Sequence, residues 1–230
     1  MNGPSPSPLD LLQVAIGHQF QNTHTLRHAL THSSMTTDRT ESNERLEFLG
    51  DRVLGLVIAE MLYQRFPDEA EGDLGYRFTA LARAEALTRI AQEIDLGACI
   101  IMSDGERDTG GADKDGLLAD ACEALIAALY IDGGMPPAQA FIEKYWEPLI
   151  AENLQPTKDA KTELQEWAQA RGLALPAYEV TGRKGPDHAP VFTVSAKVEG
   201  ETPEQAEGAN KRAAEQAAAE KLLARFGGSS

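Results

Sequence analysis

The chain has 230 residues, 42% hydrophobic and 25% charged, with a formal net charge of −15 at pH 7. That length accommodates two domains with packed cores, and the composition excludes wholesale disorder. Its two cysteines, Cys99 and Cys122, lie far apart and in no CxxC pattern, which excludes a disulfide scaffold and a cysteine zinc site and points to a reducing, cytoplasmic setting.

The N-terminal MNGPSPSPLDLL has no basic region, and no apolar run reaches membrane length, so no membrane partner is expected. The charge is unevenly placed. Residues 1–157 carry 11 Lys and Arg against 25 Asp and Glu, a net −14, whereas residues 158–230 carry 10 against 11, a net −1. The acidic total therefore does not exclude a nucleic-acid partner, because the basic residues of the second part can still be clustered.

In chain order, residues 1–8, with SPSP, read as a disordered tail. Residues 9–151 are helical nearly throughout. The periodicity predicts helices over 9–16, 23–31, 43–64, 73–94, 115–130 and 136–153, with Ser42 or Asn43 capping the third. SDGERDTGGADKDG (103–116) reads as a loop, and Gly133, Gly134 and Pro136 mark a turn. Residues 152–158 form a linker where the charge balance changes.

Residues 159–227 form a second domain. A helix over 159–171 precedes two alternating strands, AYEVTGRK and PVFTVSAKV, joined by GPDHA. A weak third strand near 202–207 is confined to an edge or shortened by Pro203, and an alanine-rich helix covers 209–226. The fold class is an all-α domain followed by a small α+β domain of order α-β-β-β-α.

The third helix opens on NERLEFLGD (43–51). At about 100° per residue, Glu44, Glu47 and Asp51 share a narrow stripe, while Leu46, Phe48, Leu49, Val53 and Leu54 cover most other directions. LLADACEALIAALY (117–130) repeats the anomaly, with Asp120 and Glu123 at i and i+3 in an apolar helix. One such pair is ordinarily a solvated helix face. Two sets in apolar helices argue for a shared site, and buried carboxylates need cations between them. Oxygen-only donors suit Mg²⁺, with Mn²⁺ as a substitute, and a carboxylate-held Mg²⁺ pair can cleave phosphodiesters.

Other signals are weaker. His24, His28 and His32 fall at i, i+4 and i+8 on one predicted helical face, a span too long for a single zinc ion, and packing or capping is the preferred reading. No GxxxxGK[ST] occurs, so no nucleotide cofactor is expected, and no serine or cysteine nucleophile has a credible base.

NERLEFLGD, FPDEAEGDL (66–74), GE (105–106), GG (110–111) and LADACEALIAALYIDGG (118–134) together resemble the ribonuclease III family, in its order and spacing, over about residues 9–227. The resemblance implies an endoribonuclease that hydrolyses double-stranded RNA with Mg²⁺. It implies 5′-phosphate and 3′-hydroxyl ends with a short 3′ overhang, and a role in processing ribosomal RNA precursors and some messenger RNAs. It makes Glu47, Asp51, Asp120 and Glu123 the metal ligands, with Asp51 and Glu123 catalytic and Glu44 and Glu71 in supporting roles. It also implies a homodimer in which Phe48 packs across the subunit boundary, ordinary core packing being the alternative.

The second domain resembles a double-stranded RNA-binding domain. On that pattern Gln165 and Glu166 meet one minor groove, His188 the next, and Lys211 and Arg212 hold phosphates. This chain departs from the pattern at Glu215, where a third basic residue is common, and at Asn210, where Ser is common. Phe78–Thr79 replaces an Arg–Ala pair. The competing readings are a non-catalytic duplex-RNA binder that keeps the fold, and a phosphohydrolase of small phosphates.

Overall fold

The computed structural model describes residues 6–152, 160–186 and 190–227. The chain divides into two compact units, Met1–Pro156 and Thr157–Ser230. The first contains α1 (Pro8–Ile16), α2 (Thr23–Ala29), α3 (Glu44–Arg65), α4 (Glu71–Ala82), α5 (Ala84–Glu93), α6 (Asp104–Asp108), α7 (Asp115–Gly133) and α8 (Met135–Glu152).

Helix α1 begins where Ser7 and Asp10 form a reciprocal capping box with Pro8 in the first turn, and it ends at Gly17, whose φ of 73° suits glycine. Helix α7 runs through the middle of the unit. Ala121, Cys122, Leu125, Ile126, Ala128 and Leu129 are wholly buried, so the helix has an apolar surface nearly all round. Helices α2, α3, α5 and α8 pack around it. The fully buried Trp146 ties α8 to α4 by donating from Nε1 to the Leu81 carbonyl at 2.9 Å.

The structure corrects several expected boundaries. The single helix expected over 73–94 is two helices, broken at Arg83, which is extended with φ −78° and ψ 158°. No glycine or proline marks the break; packing makes it, because α4 lies against α3 and α8 while α5 turns to α7. Thr88 of α5 is anchored there by donating from Oγ1 to the Asp115 carbonyl at 2.9 Å. The loop expected over 103–116 contains the short helix α6, capped by Ser103. Asn43 occupies the N-cap of α3 without a side-chain capping bond, and the buried Ser42 hydroxyl donates instead to the Arg39 carbonyl at 2.9 Å.

Two polar anchors stand out. Arg77, 5% exposed, donates to both carboxylate oxygens of Glu69 at 2.7 and 2.5 Å and lies 3.7 Å from the Phe66 ring centroid. Asp132, near the end of α7, accepts from the backbone N–H groups of Gln21 and Asn22 at 3.0 and 2.9 Å and bonds His18 Nε2 at 2.8 Å.

The second unit is α9 (Ala160–Ala170), β1 (Ala177–Lys184), β2 (Val191–Lys197), β3 (Glu204–Gly208) and α10 (Lys211–Arg225). The antiparallel sheet has the order β1-β2-β3, with Val180 opposite Val194, Val194 opposite Ala206, and a bulge between Val180 and Gly182. Strand β3 lies at an edge, as Pro203 requires. Leu164 and Ala168 of α9 and Ala218, Ala219 and Leu222 of α10 share a core with Ala196 and Ala206 of the sheet. Trp167 stacks on Phe226 with centroids 4.0 Å apart and planes 9° from parallel. Asn210 fills the place where Ser is common and caps α10, its Oδ1 accepting from the Ala213 N–H at 2.9 Å.

Candidate active site and RNA-binding face

The acidic residues meet where α3 and α7 touch backbone to backbone. A Cβ placed on Gly50 would lie 1.8 Å from the Glu123 carbonyl oxygen, so only glycine permits this approach. Glu47, one turn before Gly50, is thereby brought to the face of α7 that carries Asp120 and Glu123. Burial raises the Glu47 carboxyl above the ordinary range, and the charges of Asp120 and Glu44 raise it further. Glu123 is pushed up to about 7, first by burial, then by Glu47 and Asp120, with Arg52 opposing. Asp120 is raised by burial, with His32 opposing. Three carboxylates from two helices thus share one electrostatic environment: all three are raised by burial, and the charges of Asp120 and Glu47 add to the effect at Glu123.

Of the remaining predicted acids only Glu44 acts on this group; the charge of Asp51 is not among those that shift Glu47, Asp120 or Glu123. Asp51 follows Glu47 by one helical turn and pairs with Arg52. Glu44 lies in the first turn of α3, 3.7 Å from an Arg39 nitrogen. Glu71 opens α4, is exposed, and is not among the charges that act on Glu47, Asp120 or Glu123. Among the described residues no three Asp, Glu, His or Cys side chains converge tightly enough to grip an ion as they stand. The donor set nevertheless fits a hard divalent cation: the groups are carboxylates, they are held on neighbouring helices, and their mutual repulsion is what such a charge would relieve.

The histidines do not form a row. Helix α2 ends at Ala29, and His32 caps a following 3₁₀ turn, its Nδ1 accepting from the Ser34 N–H at 3.2 Å. His28 Nε2 bonds the Ser42 carbonyl at 3.0 Å, and its ring lies 6.4 Å from that of His24. Capping and packing therefore describe the bonds they make.

Sequence reasoning missed Arg52 of α3, which pairs with Asp51 and opposes the rise at Glu123 on α7. Only its place beside Asp51 could have marked it. Phe48 is 66% exposed and does not belong to the core; Leu56 and Tyr63, at 60% and 74%, are also exposed on α3. The Arg52 guanidinium lies 4.9 Å from the Phe48 ring centroid, beside the acidic group.

In the second unit Gln165 and Glu166 are exposed on α9, and Lys211 and Arg212 are exposed in the first turn of α10. Gln165 and Arg212 line one depression of about 550 Å³, together with Lys161 and Glu215. His188 lies outside the described residues.

Comparison with known proteins agrees with both halves of this description. Residues 22–149 match the family described as Ribonuclease-III-like, and residues 160–225 match the double-stranded RNA binding motif. A protein named Ribonuclease 3 from Mesorhizobium japonicum is 50% identical over 212 residues, 92% of this chain and 96% of its own length. Another of that name from Cereibacter sphaeroides is 48% identical over 95% of each. Among solved structures, the nuclease domain of ribonuclease III from Campylobacter jejuni superposes with a TM-score of 0.57 at 38% identity, covering 60% of this chain and 99% of that one. The chain is a member of the ribonuclease III family, with a helical nuclease domain and a double-stranded RNA-binding domain.

Proposed function

We propose that the chain is an endoribonuclease that hydrolyses phosphodiesters of double-stranded RNA, with divalent metal held by Glu47, Asp51, Asp120 and Glu123. The observation that carries this reading is the meeting of Glu47, Asp120 and Glu123 across the Gly50 contact, where Asp120 raises the proton affinity of Glu47, and both raise that of Glu123. Acids so placed have no structural use that an apolar residue would not serve better. Mg²⁺, or Mn²⁺ as a substitute, would supply Lewis acidity and a more acidic bound water when held by these carboxylates.

The protein's own groups bind and orient. Asp51 and Glu123 are assigned the catalytic roles, one from each of the two helices that meet at Gly50. Glu44 adds negative charge at the open end of α3, and Glu71 is assigned a supporting role nearer the substrate. Gln165, Glu166 and His188 are assigned to the minor grooves of the duplex. Lys211 and Arg212 are assigned to its phosphates, where the N-terminus of α10 adds its own attraction.

The proposed products carry 5′-phosphate and 3′-hydroxyl ends with short 3′ overhangs. Duplex segments in ribosomal RNA precursors and some messenger RNAs are the proposed substrates, on the strength of family membership. Action in the cytoplasm is consistent with two free, buried cysteines and with no helix among the described residues being long and apolar enough to cross a membrane. A homodimer is part of the proposal. It is supported by the outward Phe48 and Leu56 on α3, and the related Campylobacter structure is described by a region involved in dimer formation. Phe48→Asp should shift the sedimenting species from dimer to monomer; an unchanged dimer would remove Phe48 from the interface.

The deciding experiment is a gel of a long RNA duplex incubated with the purified chain in Mg²⁺, in Ca²⁺ and in chelator, beside single-stranded RNA. Mg²⁺-dependent cleavage of the duplex alone is the expected result. A duplex retarded but intact in every lane would mean that the fold serves binding only.

A further inference from the structure

Positive charge is scarce in the helical unit, and most of it is engaged. Arg77 pairs with Glu69, Arg89 with Glu152 and Lys114 with Glu106, while Lys144 donates to the Ala15 carbonyl. Among the described residues of that unit, only the guanidinium groups of Arg27 and Arg45 make neither an ion pair nor a hydrogen bond. An exposed arginine is ordinarily a solvated one. The surroundings of Arg27 are not ordinary.

Arg27, His24 and His28 of α2 line a depression of about 330 Å³, with Thr31 and Glu41 among its other walls. Three basic side chains thus converge in a unit where acids outnumber Lys and Arg by 25 to 11. His24 and Arg27 are exposed, whereas His28 is half-buried, its Nε2 donating to the Ser42 carbonyl at 3.0 Å. The depression adjoins the end of α3 that bears the acids. The Thr31 carbonyl accepts at 2.9 Å from the N–H of Asn43, which is the N-cap of α3, and Glu44 and Glu47 stand in the turn that follows. A duplex laid across those acids meets metal at the phosphate to be cut. Its neighbouring phosphates face carboxylates unless the protein sets a cation for them.

We propose that this depression binds a backbone phosphate of double-stranded RNA beside the one that is cut, with Arg27 as its charged donor and His24 as a second N–H donor. The proposal rests on the reading of the acids as the cleavage site. A guanidinium offers phosphate a planar pair of N–H donors, and that of Arg27 has no carboxylate to leave before it binds. His28, whose Nε2 is already committed, ties the depression to the start of α3. The helical unit thereby has a grip on the duplex of its own, separate from that of the α-β-β-β-α unit.

The test uses the full chain carrying Glu123→Gln, which should bind duplex in Mg²⁺ without cutting it, and measures affinity for a 30-base-pair RNA duplex over a series of salt concentrations. Added Arg27→Gln should weaken binding several-fold near physiological salt and make the log–log salt slope shallower by about 1. Arg27→Lys should keep the slope and lose less affinity. Arg65→Gln removes the same charge at the other end of α3, roughly 30 Å from Glu44 at 1.5 Å per residue, and should change neither. With Glu123 restored, Arg27→Gln should raise KM for duplex cleavage and leave kcat unchanged. Equal losses in Arg27→Gln and Arg65→Gln would overturn the proposal, because the effect would then be general electrostatics. An unchanged slope in Arg27→Gln would overturn it as well. Thermal melts of all variants should coincide; if Arg27→Gln melts early, Arg27→Met takes its place with the same expected results. Failure of the Glu123→Gln chain to bind duplex, together with failure of the unmutated chain to cut it, would instead count against the RNA reading itself.

Discussion

In the helical unit the acids that matter are crowded, partly buried and held by two helices whose backbones touch at Gly50. In the α-β-β-β-α unit Gln165, Glu166, Lys211 and Arg212 stand at the surface, divided between two helices. On the proposed reading the first arrangement concentrates charge where a bond is to be broken, and its value lies in fixed spacing. The second spreads weak contacts over a surface, which suits a duplex read by shape rather than by bases. Substitutions in the two units should therefore fail in different ways.

The largest expected effect is in the crowded site. Glu123→Gln should lower Mg²⁺-dependent cleavage by on the order of 10²–10³-fold or more while leaving duplex binding intact. Parallel loss of binding and cleavage would break the contrast between the units. Next comes Gly50→Ala, which must push α3 from α7, because its Cβ would sit 1.8 Å from a carbonyl oxygen. A destabilisation of roughly 3 kcal/mol or more is expected by denaturant unfolding. A neutral result would mean that the two helices are free to separate.

In the second unit, Lys211→Ala should weaken duplex binding only several-fold and reduce the salt slope by about 1, with cleavage of saturating substrate unchanged. The smallest effect sharpens the comparison by pH. Glu123 in the folded chain titrates near 7, above the ordinary 4.5. Between those values the folded state holds a proton that the unfolded state has released, so stability falls as pH rises through that window. In chelator, Glu123→Gln should therefore be more stable than the unmutated chain at pH 8, by on the order of 1 kcal/mol once solvent screening is allowed for, and equal to it near pH 4. Thermal melts at the two pH values check this.

Much of this was legible in the sequence because the signals were local. Carboxylates at i, i+3 and i+4 in apolar helices place themselves, and AYEVTGRK alternates so plainly that the strand has the predicted limits. What escaped was set by distant parts. The break at Arg83 has no local marker, because α4 and α5 obey different neighbours. The histidine spacing suggested a row, yet the helix ends three residues before His32, which the Thr31–Ile101 bridge and the Ile101 carbonyl hold elsewhere. Arg52 gained its meaning only from what folding set beside it.

The triple anchorage of Asp132 bears on how the chain is made. Its partners His18, Gln21 and Asn22 precede it by 110 to 114 residues. At a synthesis rate of about 5–20 residues per second, the amino-terminal segment waits roughly 5–20 s for its docking point to be made. Helix α3 likewise emerges long before α7. During that interval the flank of α3 that ends against α7 lacks the surface it finally packs on.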